Sequence, residues 1–260
     1  MRVALITGGT SGIGLSFARA LAREGSSLVL VARDPARLDA VATDLSATHG
    51  VRVETLTADL AERVDQDRVA ARLAAGDVDT LVNNAGFSFK SPIVGGDAAL
   101  ADAAYEVMGR APRVLAAAAG AAMRARGEGT IITVASVSAL TRQDSYSALK
   151  AYALALTEVL ALELAGTGVH ATAVLPGWTR TEFHAEGGRK KVPPFLWLSP
   201  DTVAAEGLRD ARAGKVVSIP STRYRVLAGV LGVLPDWAVR AVSHRIKGSK
   251  SKTPVEGARS

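Results

Sequence analysis

Near its start the chain reads Val3-Ala4-Leu5-Ile6-Thr7-Gly8-Gly9-Thr10-Ser11-Gly12-Ile13-Gly14. The apolar, β-branched run predicts a buried strand, and an amphipathic pattern from Ile13 to about Arg23 predicts a helix that Gly25 ends. Glycines between a strand and a helix let the backbone approach a pyrophosphate, which the helix N-terminus would bind through its free N–H groups. The spacing Gly8-x-x-x-Gly12-x-Gly14 differs from the standard dinucleotide fingerprint, and a tight turn that merely needs glycine is the alternative.

The alternation of apolar strands and helical patterns continues along the chain. Further strands are predicted at 28–32, 51–56, 79–82, 130–135, 169–175 and 215–219, and helices from 35 onward, at 61–75, at 98–126 with an interruption at Pro112, at 146–164 and at 201–213. This order predicts an α/β fold with a doubly wound parallel sheet and helices on both faces, as a single domain over 1–248. Residues 182–198 form a candidate substrate loop, 221–246 an apolar helical segment, and 249–260 a basic, disordered tail.

The composition is that of an ordinary globular protein of 260 residues, with 48% hydrophobic and 22% charged residues. The absence of cysteine excludes disulfides and thiolate-bound metals, and the four histidines show no ligand spacing, so no metal site is expected. Aromatic residues make up only 5%, which argues against nucleic-acid binding by base stacking. The sequence has neither a signal peptide nor an apolar run of bilayer length, and a cytoplasmic protein is expected.

The net charge of +6 is concentrated at the end of the chain. From Arg240 onward six Lys and Arg residues are accompanied by Glu256 alone, and the apolar residues 224–234 and Trp237 precede them. Adjoining apolar and cationic residues are typical of peripheral contact with an anionic membrane surface. A C-terminal helix folded over the substrate site is the favoured alternative.

A tyrosine and a lysine stand four residues apart in Tyr146-x-x-x-Lys150, early in the predicted helix 146–164. A spacing of four places both side chains on one helix face, one turn apart. A neighbouring ammonium favours the phenolate, and is therefore expected to lower the pKa of Tyr146 from its usual value of about 10. The pair is a candidate proton donor.

The residues after the second and third predicted strands indicate which cofactor is bound. A carboxylate after the second strand would hold a ribose 2′-hydroxyl, whereas an arginine would hold a 2′-phosphate. Asp34 precedes Pro35 and is expected to cap the next helix, which leaves Arg33, with Arg37 as a second candidate, to face the ribose. We therefore expect NADP(H) in preference to NAD(H). Asp59 is placed to bond an adenine amino group, or else to cap the helix that opens at Ala61.

Five motifs follow one another over residues 2–182, and they are Thr7-Gly8-Gly9-Thr10-Ser11-Gly12-Ile13-Gly14, Asn83-Asn84-Ala85-Gly86, Ser136, Tyr146-x-x-x-Lys150 and Pro176-Gly177. In this order and spacing they resemble the short-chain dehydrogenase/reductase family. The resemblance implies a Rossmann-type sheet of strand order 3-2-1-4-5-6-7 and hydride transfer between a nicotinamide and an alcohol or carbonyl carbon. It also implies a homodimer or homotetramer through the helices 98–126 and 146–164. The residues Trp178, Phe183, Phe195, Trp197 and Leu198 predict an apolar pocket for a small-to-medium substrate, although ordinary packing is the alternative.

The resemblance assigns roles to individual residues. Tyr146 would be the general acid in reduction and the base in oxidation, Lys150 would hold the nicotinamide ribose, and Ser136, rather than Ser138, would bond the substrate oxygen. Thr181 would bond the nicotinamide carboxamide. The implied cofactor-binding residues are Gly8, Thr10, Ser11, Gly12, Ile13, Gly14, Arg33, Asp59, Leu60, Asn84, Ala85, Gly86, Tyr146, Lys150, Pro176, Gly177, Thr179 and Thr181. Asn83 would steady the centre of the sheet.

One position departs from the family. An asparagine midway along the helix before the fifth strand commonly holds a water that links the lysine to solvent, and the matching residue here is Met108. A thioether is a weak acceptor and no donor. The alternative function is therefore a catalytically weakened dinucleotide-binding protein.

Overall fold

The structure is a computed structural model that describes residues 2–89, 91–181, 192–235, 237–238, 241 and 243. The first part of the candidate substrate loop, residues 182–191, lies outside the described residues. So do the last part of the predicted C-terminal segment and the basic tail 249–260. The predicted extents of these regions stay predictions.

The described residues form one seven-stranded parallel sheet with the strand order β3-β2-β1-β4-β5-β6-β7. The strands are β1 (Val3–Thr7), β2 (Ser27–Ala32), β3 (Val53–Thr57), β4 (Thr80–Asn83), β5 (Gly129–Val134), β6 (Val169–Val174) and β7 (Val217–Ser218). Leu5 pairs with Val29 of β2 on one side and with Leu81 of β4 on the other. The predicted fold and strand order are confirmed. The order reverses between β1 and β4, where open α/β sheets bind their ligands.

Helices connect the strands. They are α1 (Gly12–Arg23), α2 (Pro35–His49), α3 (Arg63–Ala74), α4 (Ala98–Tyr105), α5 (Ala111–Arg126), α6 (Ser145–Glu163), α7 (Pro200–Arg212) and α8 (Thr222–Val233). Local sequence explains several of their ends. Asp34 caps α2 by accepting a hydrogen bond from the backbone N–H of Arg37, with Pro35 as the first helical residue. Ser199 caps α7 by accepting from the N–H of Asp201. No helix within the described ranges is long and apolar enough to cross a membrane.

Most predicted helix ends agree with the structure to within one or two residues, and the structure adds detail in two regions. The long helical region 98–126 is interrupted by a π-helical turn, Glu106–Arg110, that lies immediately before Pro112, the second residue of α5. Helix α3 begins at Arg63 with Glu62 as its capping residue, so Asp59 does not cap it. Instead, the Asp59 carboxylate accepts from the N–H of Ala61, 2.9 Å away, in the turn that precedes the helix.

The core lies on both faces of the sheet. Leu5, Leu81 and Ile131 point to the face covered by α3, α5 and α6. Their neighbours along the same strands, Ile6 and Val82, point to the opposite face, which α1, α2 and α7 cover. Strands buried on both faces are typical of parallel sheets. Polar side chains are consequently concentrated at the strand ends, where the loops of the candidate site begin.

Candidate active site

The candidate site lies where β1, β4, β5 and β6 end. Thr7, the last residue of β1, is buried and joins two of these strands. Its hydroxyl accepts hydrogen bonds from the N–H groups of Asn84 and Ala85, at 2.9 and 3.1 Å, and donates to the carbonyl oxygen of Val82 at 3.3 Å. The predicted loop after β4 is thereby held against the glycine loop after β1. Thr7 had no predicted role, because its partners are remote in sequence.

The glycine loop is shaped by close backbone contacts. Gly8 and Gly12 have positive φ angles of 65° and 51°, which favour glycine. A Cβ at Gly14 would lie 2.2 Å from the carbonyl oxygen of Gly8 and 2.4 Å from the side-chain nitrogen of Asn84. That Asn84 nitrogen donates to the carbonyl oxygens of Thr7 and Gly8, at 3.0 and 3.2 Å. Asn84, a predicted cofactor residue, therefore stabilises the loop directly.

The start of α1 fits an anionic group. The capping residue Ser11 makes no side-chain hydrogen bond to the helix, and no acidic residue occupies the first turn. The N–H groups and the positive dipole end are thus not neutralised by the first turn's own side chains. A Cβ at Gly12 would lie 3.0 Å from the Thr181 side chain, so Thr181 is next to this helix start. Thr10 is buried in the same loop, and Ile13 is half-buried. These residues suit the pyrophosphate of a dinucleotide.

Ser136 and Tyr146 lie side by side. Ser136 follows β5 and caps a 3-10 turn, Val137–Leu140, with its hydroxyl accepting from the N–H of Ser138 at 3.1 Å. Asp144 and Ser147 form a capping box that starts α6 and places Tyr146 in its first turn. The Ser136 hydroxyl is close enough to the Tyr146 phenol to lower the pKa of that phenol. The Ser138 hydroxyl is buried and has no partner among the described residues.

Lys150 is nearly buried, with 6% of its surface exposed. Its ammonium donates to the carbonyl oxygen of Val134 at 2.9 Å and lies 5.6 Å from the centroid of the Tyr146 ring. Burial disfavours the charged form and lowers the pKa of Lys150 to about 8. The two side chains predicted to share a helix face are therefore neighbours.

The prediction that Lys150 lowers the pKa of Tyr146 below its usual value is wrong. The pKa of Tyr146 is raised, mainly because burial disfavours the phenolate. The proximity of Ser136 lowers that pKa, and the charge of Asp144 raises it further, but neither reverses the direction. Lys150 directs its hydrogen bond to a backbone carbonyl, and a lysine whose own pKa is lowered is a weaker source of positive charge. The phenol therefore stays protonated at neutral pH.

Two phenylalanines form an apolar wall beside the tyrosine. Phe89 is buried, and its ring meets the Tyr146 ring edge-on, with centroids 6.5 Å apart. Phe87 packs against Phe89 in the same manner at 6.2 Å. Sequence reasoning missed both residues, although a Phe-x-Phe pattern directly after Gly86 was a visible signal. Their rings make the surroundings of Tyr146 apolar.

The segment after β6 is held in place by residues that are distant from it in the sequence. The carbonyl oxygen of Pro176 accepts from the N–H of Val137 at 3.1 Å, which joins this segment to the turn after Ser136. The Tyr224 ring of α8 covers Gly177, where a Cβ would lie 1.9 Å from the ring. The Tyr224 hydroxyl accepts from the N–H of Trp178 at 3.0 Å and donates to the carbonyl oxygen of Leu196 at 2.8 Å. Thr179 is buried within the segment.

The residues predicted for the adenosine side follow β2 and β3. Arg33 is exposed directly after β2. Asp59 is half-buried and bonded to Ala61 as described above, while its N–H donates to the Asp65 carboxylate at 2.7 Å. Leu60 is buried, and its carbonyl oxygen accepts from the Gln66 side chain at 2.9 Å. Asp59 and Leu60 are thus hydrogen-bonded to α3, at the same edge of the sheet as the glycine loop.

Met108 lies in the π-helical turn, with 2% of its surface exposed. A Cβ at Gly86 would lie 3.2 Å from its sulfur, so the thioether packs against the loop after β4. The residue that departs from the family pattern is therefore adjacent to the predicted cofactor residues Ala85 and Gly86. No cluster of three or more acidic or histidine side chains suited to a metal occurs in the described part of the chain.

A sequence profile of the short chain dehydrogenase family matches residues 2–191. Together with the seven-stranded parallel sheet, this match defines the class of protein. The chain belongs to the short-chain dehydrogenase/reductase family, whose members are oxidoreductases that act on alcohol and ketone groups.

Individual relatives resemble most of the chain. An uncharacterized oxidoreductase of Staphylococcus saprophyticus is 34% identical over 201 residues, which cover 74% of this chain and 86% of the relative. A solved short-chain dehydrogenase from Sphingobium yanoikuyae in complex with NADPH is 32% identical with a TM-score of 0.81, covering 100% of this chain and 99% of that one. The bulky-bulky ketone specific alcohol dehydrogenase from Comamonas testosteroni is 29% identical with a TM-score of 0.77, covering 100% and 97%.

Proposed function

We propose that this protein is an NADP(H)-dependent oxidoreductase that interconverts a ketone and a secondary alcohol on an apolar substrate. The observation that carries the proposal is the proximity of Ser136, which lowers the pKa of Tyr146, and of Lys150, whose ammonium lies 5.6 Å from the Tyr146 ring, at the sheet edge where the glycine loop lies. When bound, the nicotinamide supplies or accepts a hydride at the substrate carbon. The residues of this chain hold the substrate oxygen and move its proton.

The protonation state of Tyr146 suits the donation of a proton. The phenol keeps its proton at neutral pH and can donate it to a carbonyl oxygen that gains negative charge. Because burial raises the pKa of Tyr146, the phenol is a weaker acid than an exposed tyrosine. Ser136, next to it, donates a second hydrogen bond to the same oxygen and stabilises the developing charge. Lys150 would hold the ribose hydroxyls of the bound cofactor through its ammonium.

The substrate side is apolar and aromatic. Phe87 and Phe89 stand beside Tyr146. A second aromatic pair, Trp178 and Trp197, lies 5.9 Å apart in the segment after β6 and the segment that pairs with it, and Trp178 packs against the core covered by α1, α2 and α7. Aromatic walls with few polar groups favour a bulky ketone over a sugar or an organic acid. The similarity to an alcohol dehydrogenase specific for bulky ketones supports the same substrate class.

Two observations support NADP(H) over NAD(H). Asp34 accepts from the N–H of Arg37 as the cap of α2, so its carboxylate is engaged away from a ribose 2′-hydroxyl. Arg33 is the exposed cation directly after β2, where a 2′-phosphate would lie. The similar Sphingobium yanoikuyae enzyme was solved with NADPH.

The proposal is tested by following the oxidation of NADPH over a panel of ketones of increasing bulk. Tyr146→Phe removes the proton donor, and we expect turnover to fall by roughly 100-fold or more. Tyr152→Phe is the matched control, because Tyr152 lies on the same helix with an exposed ring, and it should leave turnover unchanged. Equal activity of Tyr146→Phe and the wild type would contradict the proposed role.

A second candidate function rests on Met108. Its buried thioether stands where the family commonly has a polar relay residue, and it offers no proton donor. A dinucleotide-binding protein with little turnover would bind NADPH, oxidise it with no ketone of the panel, and not respond to Tyr146→Phe. The same measurements therefore separate the two functions.

We further propose a cytoplasmic homodimer or homotetramer formed through the helical region 98–126 and α6. Large apolar side chains are exposed along these helices, among them Tyr105, Val159 and Leu162. Exposed apolar patches of this kind mark association surfaces. Leu162→Asp should shift the sedimentation of the protein towards the monomer.

A further inference from the structure

The outward face of α8 is apolar. Val226, Leu227, Val230 and Val233 are between 46% and 84% exposed. Three of them, Val226, Val230 and Val233, follow the i, i+4, i+7 spacing that places side chains on one helix face. The opposite face carries Tyr224, which is buried against Gly177. An ordinary surface helix has the reverse arrangement, with its polar side turned to solvent.

Further exposed aromatic residues accompany this face. Trp237, just after α8, is 73% exposed. Phe195, before α7, is 60% exposed, and its ring lies 6.0 Å from the guanidinium of Arg223 of α8. Arg223 also donates to the carbonyl oxygen of Phe195. We name the set of Phe195, Trp237 and the exposed residues of α8 the apolar docking surface.

The sequence that contains α8 and continues beyond it is rich in positive charge. Residues 221–260 contain eight of the chain's 31 Lys and Arg residues and two of its 25 Asp and Glu residues, a net charge of +6. The whole chain also carries +6, so residues 1–220 are neutral in sum. Arg223 and Arg225 lie on α8 itself, and Arg223 has no acidic partner among the described residues. The apolar face and the charge excess thus occupy the same part of the chain.

We propose that the apolar docking surface binds an anionic lipid bilayer. Apolar and aromatic side chains on one helix face enter the boundary between headgroups and acyl chains, and adjacent cations attract anionic headgroups. The charge favours this occupant over a second copy of the chain, because Arg223 of the surface has no acidic partner among the described residues and the sequence 221–260 of each copy has a net charge of +6. The proposal goes beyond the oxidoreductase function and does not depend on it.

The position of the surface follows from its contacts. Tyr224 bonds Trp178 and Leu196, so α8 is joined to the segment that follows β6 and to the residues next to Phe195. The apolar docking surface therefore lies beside the part of the candidate site that contains Gly177 and Thr179. A protein bound to a bilayer through this surface would hold that part of the site close to the lipid.

The test is co-sedimentation of the full chain, without cofactor or substrate, with vesicles of phosphatidylcholine alone or mixed with phosphatidylglycerol. We expect binding to the anionic vesicles that is at least about tenfold tighter than to the neutral ones and that weakens with salt. The double variant Val226→Asp/Val230→Asp should lose at least about tenfold in affinity. Val64→Asp is the matched control, because Val64 is 67% exposed on α3, and it should bind like the wild type.

Three results would overturn the proposal. The first is no sedimentation of the wild type with anionic vesicles, and the second is equal binding by the double variant and the control. The third is dissociation of a lipid-free oligomer in the double variant alone, which would assign α8 to an interface between copies. Circular dichroism and thermal unfolding of each variant show whether it is folded. Because no turnover is measured, failure here leaves the oxidoreductase proposal intact, and the reverse also holds.

Discussion

The ammonium of Lys150 lies 5.6 Å from the centroid of the Tyr146 ring. Its hydrogen bond, 2.9 Å long, goes to the carbonyl oxygen of Val134 and not to a carboxylate. A buried cation without an acidic partner is costly, and this cost is what lowers the pKa of Lys150 to about 8 from its ordinary 10.5.

The lowered pKa predicts a pH-dependent stability. Between pH 8 and 10.5 the unfolded chain holds a proton on Lys150 that the folded chain has lost, so the free energy of unfolding rises with pH in this window. Below pH 8 the full cost of burying the charged Lys150 side chain, about 3 kcal/mol, destabilises the folded protein. Lys150→Met should therefore be more stable than the wild type below pH 8, and the difference should shrink towards pH 10.5. Urea unfolding of both proteins across this range measures it, and a constant difference would refute the burial argument.

Gly14→Ala should damage the glycine loop. The added Cβ would meet the Gly8 carbonyl oxygen at 2.2 Å and the Asn84 side chain at 2.4 Å, so the backbone must shift, at a cost of about 1–3 kcal/mol or more. NADPH binding should weaken with it. Gly120→Ala is the control, because its Cβ would make only ordinary contacts, the nearest at 3.7 Å, and alanine favours a helix. Thermal unfolding and NADPH titration of both variants check the prediction. Equal stability of the two would contradict it.

Arg33→Asp should weaken NADPH binding by about 10- to 100-fold and leave NADH binding nearly unchanged, because a charge-assisted contact to a phosphate is worth about 1.5–3 kcal/mol. Fluorescence titration with both cofactors measures the ratio. Arg52→Asp makes the same charge change at an exposed residue before β3, at the opposite edge of the sheet, and should affect neither cofactor. An equal loss for NADPH and NADH in Arg33→Asp would exclude the phosphate contact.

Tyr224→Phe should destabilise the segment after β6. The substitution removes the hydroxyl that bonds the N–H of Trp178 and the carbonyl oxygen of Leu196, and an unsatisfied buried partner costs about 1–3 kcal/mol. Hydrogen exchange at Trp178 should become faster than in the control variant Tyr152→Phe, because Tyr152 is an exposed tyrosine of α6. Unchanged exchange would show that ring packing on Gly177 alone holds the segment.

Met108→Leu should leave turnover unchanged and cost less than about 1.5 kcal/mol, because the two side chains have similar volume and the thioether adds no proton transfer. Steady-state kinetics and chemical unfolding measure both effects. A clear fall in turnover with retained stability would mean that the sulfur takes part in the reaction.

Local sequence predicted the secondary structure well wherever its cause is local. The apolar period of β1, the cap formed by Asp34 and Pro35, and the glycines before α1 all act within a few residues, and each is found as expected. The strand order followed from the family resemblance and is confirmed. The predicted interruption of the helix 98–126 lies in a π-helical turn just before Pro112, and the alternative role of Asp59 as a helix cap is excluded because Asp59 bonds Ala61 in the turn before α3.

The candidate site shows the same division between features set by local sequence and features set by the tertiary structure. The sequence alone determined which residues carry polar and ionisable groups and that Tyr146 and Lys150 share a helix face, since a helix has a fixed period. Only the tertiary structure decided how these groups behave. Burial is a property of everything packed around a residue, so it raises the pKa of Tyr146 where the charge of Lys150 alone predicted a decrease. Contacts between distant residues, such as Tyr224 on Gly177 or Thr7 on Asn84, likewise arise only when the sheet brings strand ends together.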